Sequence, residues 1–417
     1  MFIRLFNIIG KFFSSSHAHD KALYWSKLKD PNILAKAGMF ITAMNNAHCP
    51  IPLTLKSLLL TGEIKSFWNL VHTHPDAFDA ANLYGMLASM YPERTATLPD
   101  LPLFIQEYCA IELGSVKKVK SDNVYLRWMS AAKKDDLNKV NECLAEIFVS
   151  QKLQPPHLLR GSKGLHVRCV THLTKKIPVS HKPQLSIIMT AFDEESRIGM
   201  AIDSLIVQTW NDFELLVVDD HSSDGTSAII KEKAEQDIRV KPLFLPTNVG
   251  TFGAKNIALD HAKGKYVMMH DADDWSHPER LRLMMSSLDT PNITAVSSRY
   301  IRVDEISGCP VSDDVRNFCR WNPSSFLCKR DFFKRHGGYL QILGSDCEMV
   351  ARHEMLYGVA CHKRLPLVLS IGLSKRQSLS RRYKGVNGGR RRVEDWETWR
   401  RMHVDYLAKH KELLWKP

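Results

Sequence analysis

With 417 residues, 44% of them hydrophobic and 24% charged, the chain has an ordinary globular composition and enough length for two or three domains. No run reaches the roughly 18 to 20 apolar residues needed to span a bilayer, and nine cysteines without a C-x-x-C pair argue against structural zinc and for reduced thiols in a cytosolic protein. The formal net charge of +12 is uneven: Gly372 to Pro417 holds 13 Lys/Arg against 5 Asp/Glu. That excess calls for an anionic partner, yet no zinc-finger spacing or RRM-like aromatic pattern accompanies it, so nucleic acid is not expected.

Residues 1–16 form an amphipathic N-terminal segment. Helical spacing over residues 1–13 gathers Phe2, Leu5, Phe6, Ile9, Phe12 and Phe13 on one face and Arg4, Asn7 and Lys11 on the other. This is the pattern of a helix lying at a membrane surface, or of one packed on its own protein. Residues 17–180 read as an α-helical domain, with helices over Lys21 to Met44, Ser66 to Thr73, Asp79 to Met90 and Lys134 to Ser150 and no strand-like alternation. Paired short helices point to a helical-hairpin array without a constant repeat period, a surface for a protein partner. Pro155-Pro156, Gly161, Gly164 and Lys175-Lys176 then read as a linker.

At Gln184 the pattern changes. Leu185 to Thr190, Phe213 to Val218, Val240 to Leu245 and Lys265 to His270 read as strands, with helices at Arg197 to Thr209, Thr226 to Asp237 and Ala254 to Ala262 between them. Continuous apolar strands alternating with helices predict a buried parallel sheet, an α/β Rossmann-like domain. Beyond Pro291 the pattern is mixed: an edge strand over Ile293 to Val303, another strand over Ser324 to Lys329, a helix over Asp346 to Tyr357 and an apolar run over Leu365 to Ile371.

Two acidic clusters fall at strand ends, Asp219-Asp220 and Asp271-Ala-Asp273-Asp274. Open α/β sheets bind ligands beyond the carboxyl ends of their strands. Crowded carboxylates there need a cation or a hydrogen-bonded ligand, and a divalent metal with a phosphate answers both needs. Asp271 and Asp273, two residues apart on extended backbone, point to one side. Asp220 can accept a hydrogen bond from a base N–H; the other reading is a turn cap, which suits Ser222, Ser223 and Asp224 better. Thr190 and Phe192 follow the first strand, where an aromatic ring offers a stacking face to a pyrimidine. Gly250, Gly253 and Lys255 lie in a loop entering a helix, which brings free N–H groups and a cation beside a diphosphate or is simply a glycine loop.

Four ordered stretches carry a resemblance: Leu185 to Glu194, Gln208 to Thr226, Asn248 to Asn256 and Gly264 to Trp275. In order and spacing they resemble glycosyltransferase family 2, whose nucleotide-sugar-binding GT-A fold would occupy residues 184–380, with a basic loop and C-terminal helix at 381–417. The resemblance implies an inverting glycosyltransferase that moves a sugar from a nucleotide donor, expected to be a UDP-sugar, to a glycan or lipid-linked glycan in surface polysaccharide synthesis. It implies a divalent metal and the ribose at the Asp271-to-Asp274 motif, divided here as ribose at Asp271 and Mn²⁺ or Mg²⁺ on Asp273 and Asp274, and the base at Thr190, Phe192 and Asp220. The family's general base is the Asp of a Glu-Asp pair after a Gly-Gly-aromatic turn; here Gly337-Gly338-Tyr339 precedes Ser345-Asp346, so Asp346 takes the place, Ser345 departs from the pattern, and Glu348 is the reserve. Arg381 to Arg392 reads as a lid over the donor diphosphate or as a solvated basic loop. The localisation implied is cytoplasmic, peripheral at the membrane through residues 1–13. Two competing readings are a nucleotidyltransferase, which should show a Gly-rich basic loop where Ala191 to Arg197 is acidic, and a binding or scaffold protein with a degenerate transferase domain.

Overall fold

The computed structural model describes residues 51–61, 63–74, 83–98, 101–116, 118–161, 164–169, 182–342, 344–374 and 398. The expected N-terminal amphipathic helix, the helix over Lys21 to Met44, the basic loop 381–392 and the C-terminal helix lie outside these residues. The chain forms two compact units: residues 1–87, 342–361 and 376–417 belong to the first, 88–341 and 362–375 to the second. No helix among the described residues is long and apolar enough to cross a membrane.

In the first unit, helices α1 (Ile51–Thr61) and α2 (Ile64–Thr73) bury Leu55, Leu58, Leu59, Phe67 and Val71. The same unit holds the helix Ser345–Tyr357 and a 3₁₀ turn, Val359–Cys361.

The second unit is built on a mixed sheet. Strands β3 (Leu185–Ala191), β4 (Phe213–Asp219), β5 (Val240–Phe244) and β6 (Tyr266–Met269) are parallel in the order β5-β4-β3-β6, with Leu185 opposite Phe213 and Tyr266, and Leu215 opposite Val240. β4 is buried at every position, as a strand covered on both faces must be. Helices Ile198–Ile206, Thr226–Gln236 and Thr251–His261 are the crossovers. The sheet continues through β11 (Leu327–Lys329), β8 (Ala295–Asp304), β12 (His362–Ser374) and β7 (Asp274–Ser276), where β11 is antiparallel to both neighbours. This is the α/β GT-A sheet the sequence predicts, preceded by helices.

Two expectations are corrected. β8 is no edge strand, since β11 and β12 flank it. Its alternation arises because Tyr300, Arg302 and Asp304 are half-buried on one face while Ile301 and Val303 are fully buried on the other. A hairpin, β1 (His157–Gly161) with β2 (Gly164–Arg168), stands where the sequence reads as helix and linker, with Leu158 opposite Val167. Only Leu158, Leu165 and Val167 are buried in it, too few for a period-two signal between proline and glycine punctuation.

The core is continuous across these parts. Trp128 of helix Val124–Lys133 and Val140, Leu144 and Phe148 of helix Leu137–Ser150 join Leu158, Val167 and the sheet residues in one cluster. Polar ties fix the contact: Trp128 Nε1 donates to Gly308 O at 2.7 Å, and Val368 N donates to Gln151 Oε1 at 2.7 Å.

Gly264 shows how closely β3 and β6 approach. A Cβ there would lie 2.4 Å from Ser186 N and 2.6 Å from Leu185 C, backbone atoms that cannot rotate away, and Gly264 N donates to Ser186 Oγ at 2.8 Å. Gly264→Ala is expected to cost roughly 1–3 kcal/mol of stability, read as a lower urea midpoint. An unchanged midpoint would mean the strands separate freely here.

Candidate active site

The first acidic cluster divides into a structural and an available carboxylate. Asp219 Oδ1 accepts from Ser222 N at 3.0 Å and Oδ2 from Ser227 Oγ, closing the turn after β4. Asp220 is only 2% exposed and stitches two loops together. Its N donates to Ala191 O (2.9 Å), its O accepts from Asn248 Nδ2 (3.0 Å), and its Oδ1 accepts from Val249 N (2.8 Å). Thr190 and Thr251 hydroxyls lie 3.0 Å apart, joining the end of β3 to the start of helix Thr251–His261. Phe192 stays 48% exposed and Val249 40%, so two apolar side chains stand open in the loops that Asp220 joins. Gly250, with φ 78°, turns the chain into that helix in a conformation few other residues adopt.

Ser222, Ser223 and Asp224 work as turn and cap residues. Asp224 Oδ1 accepts from Thr226 N at 2.9 Å, Ser223 N donates to Asp193 Oδ1 at 2.8 Å, and Asp193 N donates to Ser222 Oγ at 3.1 Å. Burial pushes the Asp224 carboxyl up, but hydrogen bonds from Thr226 and Glu195 outweigh it and hold the group below its ordinary value.

The second cluster occupies the connection from β6 to β7. Asp271, its side chain 38% exposed, lies 3.8 Å from Lys255 Nζ. Lys255 is 2% exposed, and its Nζ also lies 5.4 Å from the centres of the Phe252 and Tyr339 rings. The structure thus joins Lys255 to Asp271. Asn256, the next residue, clamps the Gly-Gly-aromatic turn: Nδ2 donates to Tyr339 O at 2.9 Å and Oδ1 accepts from Tyr339 N at 2.7 Å.

Asp273 is half-buried. Burial, then the Asp271 and Glu194 charges, push its carboxyl up to about 7 against the pull of Arg197 and Arg302. Asp274 is buried and raised well above the carboxylate range by burial and by Asp273 and Asp271. It stands opposite Gly372 of β12, and a Cβ on Gly372 would meet Asp274 Oδ1 at 2.7 Å, Tyr300 Cδ2 at 3.6 Å and Arg302 Cγ at 3.7 Å. Glycine at 372 makes the notch that receives the Asp274 carboxylate.

No three His, Cys, Asp or Glu side chains among the described residues converge into a set that could hold an ion. The donor chemistry still fits a hard divalent cation, which commonly takes one or two carboxylates and completes its shell with substrate phosphates and water. Asp271 and Asp273 repel each other and are the reachable members of the cluster.

Charged neighbours that sequence reading missed surround this loop. Arg197 is buried between Glu194 and Glu305. Glu305 is more than a hundred residues away in the chain, so no local pattern announces the pair. Arg280 is fully buried, and its spacing of four from the buried Met284 put it on the helix's core stripe, a legible signal. Burial and the Arg280 charge hold the His270 imidazole down at about 3.

Asp346 belongs to the first unit, in the first turn of helix Ser345–Tyr357 behind Gly344, and is half-buried. Glu348, the reserve base, is 1% exposed and held at both oxygens by Arg352, with Nε to Oε1 at 2.9 Å and Nη2 to Oε2 at 2.7 Å. That buried bidentate pair gives Glu348 a structural role.

Residues 186–341 match the family model for glycosyl transferase family 2. Among curated relatives, UDP-Glc:alpha-D-GlcNAc-diphosphoundecaprenol beta-1,3-glucosyltransferase WfgD of Escherichia coli is 35% identical over 116 residues, 28% of this chain and 45% of the relative. Succinoglycan biosynthesis protein ExoO of Rhizobium meliloti (strain 1021) is 35% identical over 107 residues, 26% of this chain and 30% of the relative. Among solved structures, the mannosyltransferase PcManGT from Pyrobaculum calidifontis in complex with GDP-Man and Mn²⁺ aligns with a TM-score of 0.39 and 18% identity, over 58% of this chain and 79% of that one. The chain spans less than half the length of either curated relative. Residues 186–341, the stretch that contains both acidic clusters, are similar to glycosyl transferase family 2.

Proposed function

We propose that this chain transfers a sugar, with inversion, from a nucleotide donor to a glycan or lipid-linked glycan acceptor in surface polysaccharide synthesis. The observation that carries the reading is the placement of Thr190 at the end of β3, Asp220 just after β4, Asp271 and Asp273 just after β6, and Lys255 of helix Thr251–His261 against Asp271. With Oδ1 of Asp220 engaged by Val249 N, the other oxygen is the acceptor for a base N–H, which uracil provides, so UDP is the expected nucleotide. Phe192 stacks on that base. Asp271 takes the ribose and Asp273 the metal; Asp274, seated in the Gly372 notch, shapes the loop and completes the metal's acidic field. Bound Mn²⁺ or Mg²⁺ neutralises charge developing on the departing diphosphate. Asp346 takes the acceptor hydroxyl proton as that oxygen attacks the anomeric carbon and the bond to the diphosphate breaks. The relative from Escherichia coli, a glucosyltransferase acting with UDP-Glc on a diphosphoundecaprenol-linked sugar, favours the lipid-linked acceptor. A lipid-linked acceptor is met at the cytoplasmic membrane face, where residues 1–13 would bind; the helices before the sheet would meet a protein partner.

The test is a panel of nucleotide sugars with Mn²⁺ or Mg²⁺, scoring nucleotide release with and without acceptor glycans. Release from one UDP-sugar, dependent on metal and raised by acceptor, is the expected result. Pyrophosphate formed from a nucleoside triphosphate and a sugar phosphate would establish a nucleotidyltransferase instead, and no turnover of any donor while nucleotide still binds would favour a scaffold role. Within the same assay, Phe192→Ala is expected to raise the donor KM about three- to tenfold at nearly constant kcat, the loss of one aromatic stack of roughly 0.5–1.5 kcal/mol. An unchanged KM would move the base away from this ring.

A further inference from the structure

Behind the acidic loop lies a cation that the chemistry above leaves unused. Arg280 is 0% exposed in the first turn of helix Arg280–Ser287. Its Nη1 lies 2.8 Å from His270 Nδ1 and 3.5 Å from Ser276 Oγ, while Nε and Nη2 have no hydrogen-bond partner among the described residues. A buried guanidinium costs several kcal/mol to desolvate unless charges of opposite sign compensate it. The acids whose charges act on Arg280 are Asp274 and Asp271.

The hydrogen bonding has one direction. Arginine has no acceptor, so His270 Nδ1 must accept from Arg280, which leaves the ring proton on Nε2. That nitrogen lies 3.1 Å from Asp274 O. His270 N donates to Ile188 O at 2.9 Å at the end of β6, and Asp274 opens β7 against Gly372. The His270 side chain therefore closes a ring across the connection between the two strands. Asp271 and Asp273 lie within the closed segment.

We propose that Arg280 is the positioning residue of the acidic loop: through His270 it closes the 270–274 turn and so holds Asp271 where the ribose would sit and Asp273 where a diphosphate-bound divalent cation would sit. This rests on the metal–nucleotide reading proposed above. Arg280 touches neither donor nor metal. Its contribution is the shape of the loop, and it opposes its own charge, because a cation beneath a metal site repels the metal.

That opposition makes the test sharp. Mn²⁺ binding to the full chain in the presence of UDP can be read from the paramagnetic resonance signal of free Mn²⁺, with thermal midpoints to verify folding. R280M and H270L are expected to weaken Mn²⁺–UDP binding at least tenfold. H270Q, whose amide can accept from Arg280 and donate to Asp274 O, is expected to restore it to within threefold of the natural chain. Equal or tighter Mn²⁺ binding by R280M would show a repelling charge without a positioning role and overturn the proposal. H270L keeps the guanidinium and decides the matter should R280M not fold: unchanged binding in it overturns the proposal equally. A natural chain that binds no Mn²⁺ with UDP would overturn the proposed function along with this inference, whereas normal binding there and in both variants overturns this inference alone.

Discussion

Asp346→Asn is expected to lower sugar transfer by about 10³-fold while leaving UDP affinity within about twofold, since a positioned general base contributes roughly 10²–10⁴-fold. The amide keeps the shape of the carboxylate but cannot take the acceptor proton. Folding should survive, because an acid in a helix's first turn is worth only about 0.3–1 kcal/mol through the helix dipole. The structure narrows the alternatives in this helix. Glu348 is tied at both oxygens to Arg352 in a buried pair, so Glu348→Gln should chiefly cost stability, about 3–5 kcal/mol where it leaves a buried charge unpaired. Initial rates against donor and acceptor, with UDP titrated calorimetrically, separate the two variants. Near-normal turnover of Asp346→Asn would send the search for the base elsewhere.

What could be read from the residues follows the range of the interactions that set each feature. β3 and β4 were legible because buried parallel strands must be apolar throughout, and the acids that end β4 and β6 were legible because charges there contradict that rule. The roles of Asp219 and Asp220 were not separable: both are 2% exposed, and only the Ser222 and Ser227 bonds on one and the Val249 bond on the other distinguish them. The sharing of one core by helix Leu137–Ser150 and the sheet was hidden for the same reason, since Gln151 meets Val368 across more than two hundred residues. Lys255 illustrates a middle case. Its place in a loop entering a helix fitted a diphosphate cation or a plain loop; its burial beside Asp271 and two rings is a tertiary fact.

The sharpest separation among the three carboxylates of the second cluster is expected between Asp273→Asn and Asp274→Asn. Asp273 is half-buried and crowded by Asp271 and Glu194. Removing its charge relieves repulsion, so the melting midpoint without metal should not fall. Transfer should nonetheless drop about 10²–10³-fold, the scale of losing one group that stabilises charge in the transition state, and the Mn²⁺ concentration needed for half-maximal rate should rise. Asp274 differs in its surroundings. Its Oδ1 fills the notch at Gly372, and its charge faces Arg280 and Arg302. Its amide variant puts an NH₂ or a carbonyl against two arginines that a carboxylate had compensated, so the midpoint should fall and activity should follow the loss of folded protein. If Asp274→Asn keeps its midpoint and loses Mn²⁺ dependence while Asp273→Asn remains active, the metal is held by the deeper carboxylate. Asp273 would then be the member that shapes the loop.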